Sequence, residues 1–192
     1  MAAIGLTEAA MQKLNPAVRI RHYRSDDSEA LYAAVIESVD LVGAWLPWCT
    51  SKYSRADAVG WIKACADDWK QASAFPFAVE DVGSGAILGG VGISQINRLH
   101  KTGNIGYWIR TSRAGTGVAT RAVRQLAHWA LDSQQFYRLE IVTRLENAAS
   151  RRVAEKVGST FEYIARNRLL ENGISQSAAV YSLVPDDLVK SQ

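Results

Sequence analysis

Hydrophobic and polar positions first alternate between Ala17 and Tyr23. Val18, Ile20 and His22 fall on one side, and Arg19, Arg21 and Tyr23 on the other, which predicts a strand. Ser25-Asp26-Asp27 offers N-cap side chains for a helix that continues through Ala30 to Val39. The period breaks between Gly43 and Ser54, a stretch that holds Trp45, Pro47, Trp48 and Tyr53. A second helix is predicted from Arg55 or Ala56 to Gln71, with Val59, Ile62, Ala66 and Trp69 as its apolar face. Three strands should follow, Pro76 to Asp81, Ile87 to Ile96 and Asn104 to Arg110. Gly83-Ser84-Gly85 makes the hairpin turn between the first two, and Asn97 to Gly103 forms a polar loop before the third. Beyond a glycine-rich turn, Val118, Ala122, Leu126 and Trp129 recur at helical spacing. Arg138 to Thr143 reads as a strand, and Asn147 to Val157 as a short helix stopped by Gly158. Thr160 to Arg168 and Gln176 to Val184 read as two strands joined at Glu171-Asn172-Gly173. This order predicts an α+β fold with a mixed sheet.

Composition narrows the class. At 192 residues the chain is one domain, and 48% hydrophobic against 21% charged residues excludes wholesale disorder. We expect an extension over 1–16, the domain over 17–185 and a tail over 186–192. No apolar run approaches the roughly 18–20 residues of a membrane span. Met1 to Gln12 has no basic residue ahead of an apolar stretch, so a signal peptide is not expected. Two cysteines, Cys49 and Cys65, fit a reducing compartment and lack an activating partner, so a cytoplasmic location is expected. His22, His100 and His128 show no metal-ligand spacing, and no metal is expected. A net charge of +3 is too mild to imply direct nucleic-acid binding. That average hides an asymmetry: no acidic residue lies between Asp81 and Asp132, a stretch carrying Arg98, Lys101, Arg110, Arg113, Arg121 and Arg124. A local field of that sign suits a phosphate-bearing ligand.

Gly115-Thr116-Gly117-Val118-Ala119-Thr120 joins a strand to a helix. Glycines there admit a close ligand, and the first helical N–H groups form an anion site. The Lys-Ser/Thr pair of a P-loop is absent. A dinucleotide fold fits poorly, because Thr120 takes the third glycine's place and the nearest acid, Glu140, falls mid-strand. An ordinary tight turn remains a competing explanation.

The wider run is more specific. Gly106-Tyr107-Trp108-Ile109, the glycine turn through Val123, Arg138-Leu139-Glu140-Ile141 and Asn147 through Gly158 follow in order. Phe161-Glu162, Asn172-Gly173 and Val180-Tyr181-Ser182-Leu183 close the series. Together with Trp45-Leu46-Pro47-Trp48 upstream, it resembles the GNAT acetyltransferases, specifically the RimJ/RimL branch of ribosomal-protein N-terminal acetyltransferases, over residues 17 to 185. The resemblance implies a mixed sheet of about seven strands flanked by helices, with acetyl-CoA as cofactor. It departs at Ala114, where the turn usually opens with Gln or Arg and Arg113 lies one residue earlier. It departs again at Ala154, where many relatives carry a catalytic tyrosine.

By that resemblance, the amides of Gly115, Thr116, Gly117, Val118 and Ala119 hold the pyrophosphate, with the Thr120 hydroxyl and Arg113 nearby. Trp108, Ile109 and Arg110 pair with the pantetheine arm and offer an oxyanion donor. Asn147 contacts the cofactor, with helix capping as its competing role. Ser150 serves as general acid or thiolate stabiliser in place of the missing tyrosine, and Glu162 as general base; a small packing residue and a surface ion pair are the respective alternatives. Trp45, Trp48 and Tyr53 form the acceptor wall, or a hydrophobic cap over the core. A carboxylate base suits an α-amine, with a reference pKa near 8, better than a lysine near 10.4. The expected activity is direct acetyl transfer to a protein or peptide N-terminal amine. The alternatives are a small amino-acid-like metabolite or antibiotic as acceptor, or an acyl-CoA-binding module without turnover. A homodimer is left open.

Overall fold

The computed structural model describes residues 17–171 and 173–189. In chain order these form β1 (Val18–Arg21), α1 (Ser28–Ile36), α2 (Val39–Val42), α3 (Arg55–Gln71), β2 (Phe75–Asp81), β3 (Ile87–Asn97) and β4 (Thr102–Ile109). They continue as α4 (Val118–His128), β5 (Arg138–Arg144), α5 (Ala148–Lys156), β6 (Thr160–Glu171), β7 (Ile174–Leu183) and α6 (Pro185–Val189). The seven strands make one mixed sheet in the order β1-β2-β3-β4-β5-β7-β6. Every neighbouring pair is antiparallel except β4 and β5.

Alternation along the strands divides the core. Leu88, Ile105, Leu139, Ile141 and Tyr181 pack beneath Val118, Ala122 and Leu126 of α4. On the opposite face Leu31, Val35, Val42, Cys49, Ala58 and Ile62 form a smaller core among α1, α2 and α3. β4 feeds both: Tyr107 and Ile109 pack against the larger core, and Trp108 against the smaller. Gly90 makes room for that indole, since a Cβ there would lie 2.8 Å from the Trp108 ring nitrogen.

Several expected boundaries move. The first helix is two, α1 and α2, with the Ser38 hydroxyl donating to Ala34 O between them. α3 turns inward a face that keeps Ile62 and Trp69 of the one expected but has Ala58 and Cys65 in place of Val59 and Ala66. Ala58, Ile62 and Cys65 are buried, whereas Val59 is 56% exposed and Ala66 is also exposed. A small residue at 58 lets α3 approach its neighbours closely, and Trp69 pins the far end by donating from its ring nitrogen to Pro76 O. The polar loop is shorter, because β4 already begins at Thr102, after a turn with Lys101 at φ 50°. β6 and β7 extend toward their turn as far as Glu171 and Ile174, while Asn172 lies outside the described residues. Leu188 of α6 is buried in the larger core. The expected extension over 1–16 also lies outside the described residues.

One feature of the sheet positions the site. β4 and β5 pair only from Thr102 to Asn104 against Arg138 to Glu140. Beyond Asn104 they part, and β4 runs on to Ile109 without β5 beside it.

Candidate active site

The open edge of β4 carries donors and acceptors. Arg110 N–H donates to Leu88 O, and the β3–β4 register places Trp108 opposite Gly90. Antiparallel ladders alternate, so the main-chain groups of Ile105, Tyr107 and Ile109 face the β5 side instead; the Ile105 N–H serves the last pairing with Glu140, and those of Tyr107 and Ile109 open onto the gap. Of the three strand residues expected to meet a pantetheine arm, Ile109 presents its main chain there. Trp108 turns its main chain to β3, and Arg110 donates its N–H there while its carbonyl accepts from Arg113. The Arg110 side chain pairs with Glu37 and donates to Ile87 O. It holds Glu37 at a pKa of about 2, and Glu37 in turn accepts from Ser112 N–H. This braces the exit of β4 against the end of α1.

The chain then enters a short 3-10 turn, Thr111–Arg113, and the two glycines. Gly115 and Gly117 lie at φ 73° and 77°, the left-handed region where a side chain is strained. A Cβ on Gly115 would meet nothing within 4 Å, so that surface is open. The first α4 N–H with an intrahelical partner is that of Arg121, bonded to Gly117 O, which leaves the N–H groups of Val118, Ala119 and Thr120 pointing out of the helix end. The Thr116 hydroxyl donates to Arg113 O and closes the turn. Arg121 curls back, donating from Nη2 to Thr116 O, and its Nη1 lies 3.2 Å from where a Gly117 Cβ would be. Main-chain donors, a helix N-terminus and a guanidinium thus converge, and a pyrophosphate fits them.

Across the gap, Asn147 caps α5 by accepting from Ser150 N–H at 2.9 Å. The Tyr107 hydroxyl reaches over from β4 to lie 2.9 Å from Ser150 Oγ and 3.0 Å from Ser150 O. Burial pushes the Tyr107 phenol up to about 12.

Glu162, on β6, reaches across β7 toward Arg138, in the stretch of β5 that pairs with β4. Arg138 Nη1 donates to its Oε1 at 2.7 Å, and the Ser182 hydroxyl donates to the same oxygen at 2.8 Å. Arg138 also binds Glu140, the last β5 residue paired with β4. The Arg138 hydrogen bonds hold Glu162 at a pKa of about 2. The cluster of one guanidinium and two carboxylates carries a net negative charge.

The aromatic loop between α2 and α3 spans the mouth. Trp48 meets Trp108 of β4 edge to face at 5.6 Å, and the guanidinium of Arg144, at the end of β5, lies 5.3 Å from the centre of the Trp45 ring. Beneath the loop is a mainly apolar cavity of about 970 Å³. Trp48, Tyr53, Trp61 and Phe77 line it, and it reaches Gly106, Tyr107 and Trp108 of β4. Trp45 is not among its lining residues and belongs to the β5 side of the mouth.

The profile of the GNAT acetyltransferase domain matches residues 17–160. The chain belongs to the GNAT acetyltransferases. YdaF of Bacillus subtilis, provisionally named a ribosomal N-acetyltransferase, is 28% identical over 174 residues, covering 90% of this chain and 93% of YdaF. A structure from Vibrio cholerae, provisionally described as a ribosomal-protein-serine acetyltransferase, superposes with a TM-score of 0.77 at 27% identity, covering 88% of this chain and 94% of that one. The microcin C7 self-immunity acetyltransferase MccE, solved with acetyl-CoA and AMP, shares the fold at a TM-score of 0.82 and 24% identity, over 89% and 94% of the two chains. As a GNAT acetyltransferase this chain is an enzyme that uses acetyl-CoA, and no helix among its described residues is long and apolar enough to cross a membrane.

Within this GNAT acetyltransferase, Ile109, the glycine turn, Asn147 and Ser150 border one gap. Glu162 stands on β6 and binds Arg138 of β5 from across β7, and Trp48 and Tyr53 line the cavity that reaches β4. Two residues were not singled out as site residues in the sequence. Arg121 carried a readable signal, since it falls four positions after Gly117 and so shares its side of the helix. Tyr107 was visible only as part of the Gly106-Tyr107-Trp108-Ile109 run, and nothing local pointed to its partner, 43 residues away.

Proposed function

We propose that this acetyltransferase modifies the N-terminal α-amine of a protein or peptide. The observation that carries the reading is the meeting of gap and cavity at Gly106 to Trp108, so that a thioester laid along β4 opens directly onto an acceptor beneath Trp48. Acetyl-CoA, when bound, supplies an acetyl thioester, and transfer to an amine replaces its C–S bond with a C–N bond. The amides from Gly115 to Ala119, with Thr120, Arg113 and Arg121, hold the pyrophosphate. The Ile109 main chain aligns the pantetheine arm, and the Tyr107 N–H faces the side on which the thioester oxygen gains charge. Ser150 donates a hydrogen bond from its hydroxyl to the departing sulfur, which takes the electron pair of the broken bond.

Glu162 and Glu140 attract the acceptor's ammonium to the closed end of the gap. Glu162 stays ionised at working pH and passes the amine's proton on through water; a base held near pKa 2 retains that proton only briefly. The names of YdaF and the Vibrio cholerae relative support a ribosomal protein as acceptor, and such an acceptor places the reaction in the cytoplasm. A cavity of about 970 Å³ also favours a second reading, a whole small apolar amine.

An acceptor panel tests both, with thiol release measured from acetyl-CoA against peptides with free and blocked N-termini, free lysine and small aromatic amines. Release with free N-termini alone supports the first reading. Release with blocked peptides that retain lysine, or with small amines alone, overturns it.

A further inference from the structure

We infer that Tyr107 is a positioning residue that aims the Ser150 hydroxyl into the gap between β4 and β5. The inference rests on the proposed role of Ser150 and adds to it the group that makes that role geometrically available.

Ser150 lies in the first turn of α5, where a serine has a competing local arrangement. Its hydroxyl can swing back onto a carbonyl three or four residues earlier, as serines inside helices commonly do. Asn147 fixes only the backbone of Ser150, through its N–H. Nothing within α5 selects the hydroxyl rotamer, and a serine side chain has three staggered choices. Tyr107 selects one. Its side chain leaves β4 beside the gap, crosses to α5 and stops 2.9 Å from Ser150 Oγ.

The phenol donates to Ser150 O at 3.0 Å, a carbonyl that also faces the N–H of Ala154 within α5 and takes both on its two lone pairs. The same phenol lies 2.9 Å from Ser150 Oγ, in a bond whose geometry admits either oxygen as donor; in the proposed arrangement the phenol proton is shared between the two serine oxygens. With Oγ accepting from Tyr107, the single serine proton points away from the phenol and is free for an acceptor in the gap. Burial keeps the phenol protonated throughout the working range, so it remains a donor. No proton leaves Tyr107 during turnover; it orients and polarises the serine.

The test is a double-mutant cycle of Y107F, S150A and the pair, with kcat from thiol release at saturating substrates and acetyl-CoA affinity from calorimetry. S150A should lower kcat about 100-fold, the lower bound for assisted proton transfer. Y107F should lower it about tenfold, as expected for loss of one oriented hydrogen bond. The pair should be no slower than S150A alone, because Tyr107 acts only through that hydroxyl. Affinity for acetyl-CoA should stay within about twofold in Y107F, showing that the gap is intact.

Y107F with the unmodified kcat overturns the inference while leaving Ser150 its role. So does a pair slower than S150A by the full Y107F factor, which is the signature of an independent structural effect. Y107F that loses acetyl-CoA affinity in proportion to kcat also overturns it, by showing a strut for the gap. S150A at full rate removes the proposed role of Ser150 and this inference with it.

Discussion

Single positions decide whether the site can hold its ligand. Gly117 has φ 77°, and an added Cβ would press on the Arg121 guanidinium at 3.2 Å. Backbone strain of about 1–2 kcal/mol alone corresponds to roughly tenfold, so Gly117→Val should weaken acetyl-CoA binding by at least that factor in calorimetry. Glu162 yields a prediction with a sign. Its carboxyl is pulled from 4.5 to about 2 in the fold, so its contribution is complete above pH 4.5 and is lost as pH falls toward 2. Solvent screening limits that contribution to about 1 kcal/mol. Glu162→Gln should therefore flatten acid unfolding between those values, followed by circular dichroism. The same low pKa means Glu162 cannot set the pH profile near neutrality. The rise of kcat/KM with pH should track the acceptor amine, near 8 for an α-amine, and Glu162→Gln should lower the curve without moving its midpoint. At this scale the sequence was a partial guide. The glycines, Asn147, Ser150 and Glu162 could be named from their motifs. The grip of Arg138 on Glu162 could not, because it joins β5 to β6 across the intervening β7.

Among the elements, β4 is the one whose two edges differ. Its β3 edge is paired along its length, and its β5 edge only as far as Asn104. Hydrogen exchange should show this directly. The amides of Tyr107 and Ile109 should exchange faster than that of Trp108 in the unliganded enzyme, and should slow when coenzyme A is added. Equal protection of all three without ligand would mean that the edge is closed. Strand positions were legible because period-two alternation survives wherever one face packs on the larger core. The face of α3 was read half right: Ile62 and Trp69 pack inward, but hydrophobicity ranks Val59 above Ala58, whereas close helix packing favours the smaller side chain. The parting of β4 from β5 left no local mark at all, since a strand that loses a neighbour keeps its own alternation.

Across the whole molecule, the larger core runs beneath both sides of the divided sheet, from Leu88 of β3 to Tyr181 of β7, with α4 lying over it. Leu126 is fully buried there, and Leu126→Ala should cost about 2–5 kcal/mol in urea unfolding. Val59→Ala, on the exposed side of α3, should cost less than about 0.5 kcal/mol. The α+β class, the count of seven strands and the mixed sheet all followed from element order, whereas the cavity draws on many separate segments, of which the sequence marked only the aromatic loop with Trp48 and Tyr53. The brief parallel pairing at Thr102 to Asn104 has one more consequence. A strand with bare hydrogen-bonding groups on a protein's rim invites other polypeptides to add on. Here the bare stretch lies in a cleft flanked by α4 and α5 and roofed by Trp45 and Trp48, so thickness screens what can reach it. A slender, extended molecule bearing its own amides can slide in, while a folded neighbour is kept out, and a feature that ordinarily promotes clumping becomes a gauge for one narrow ligand.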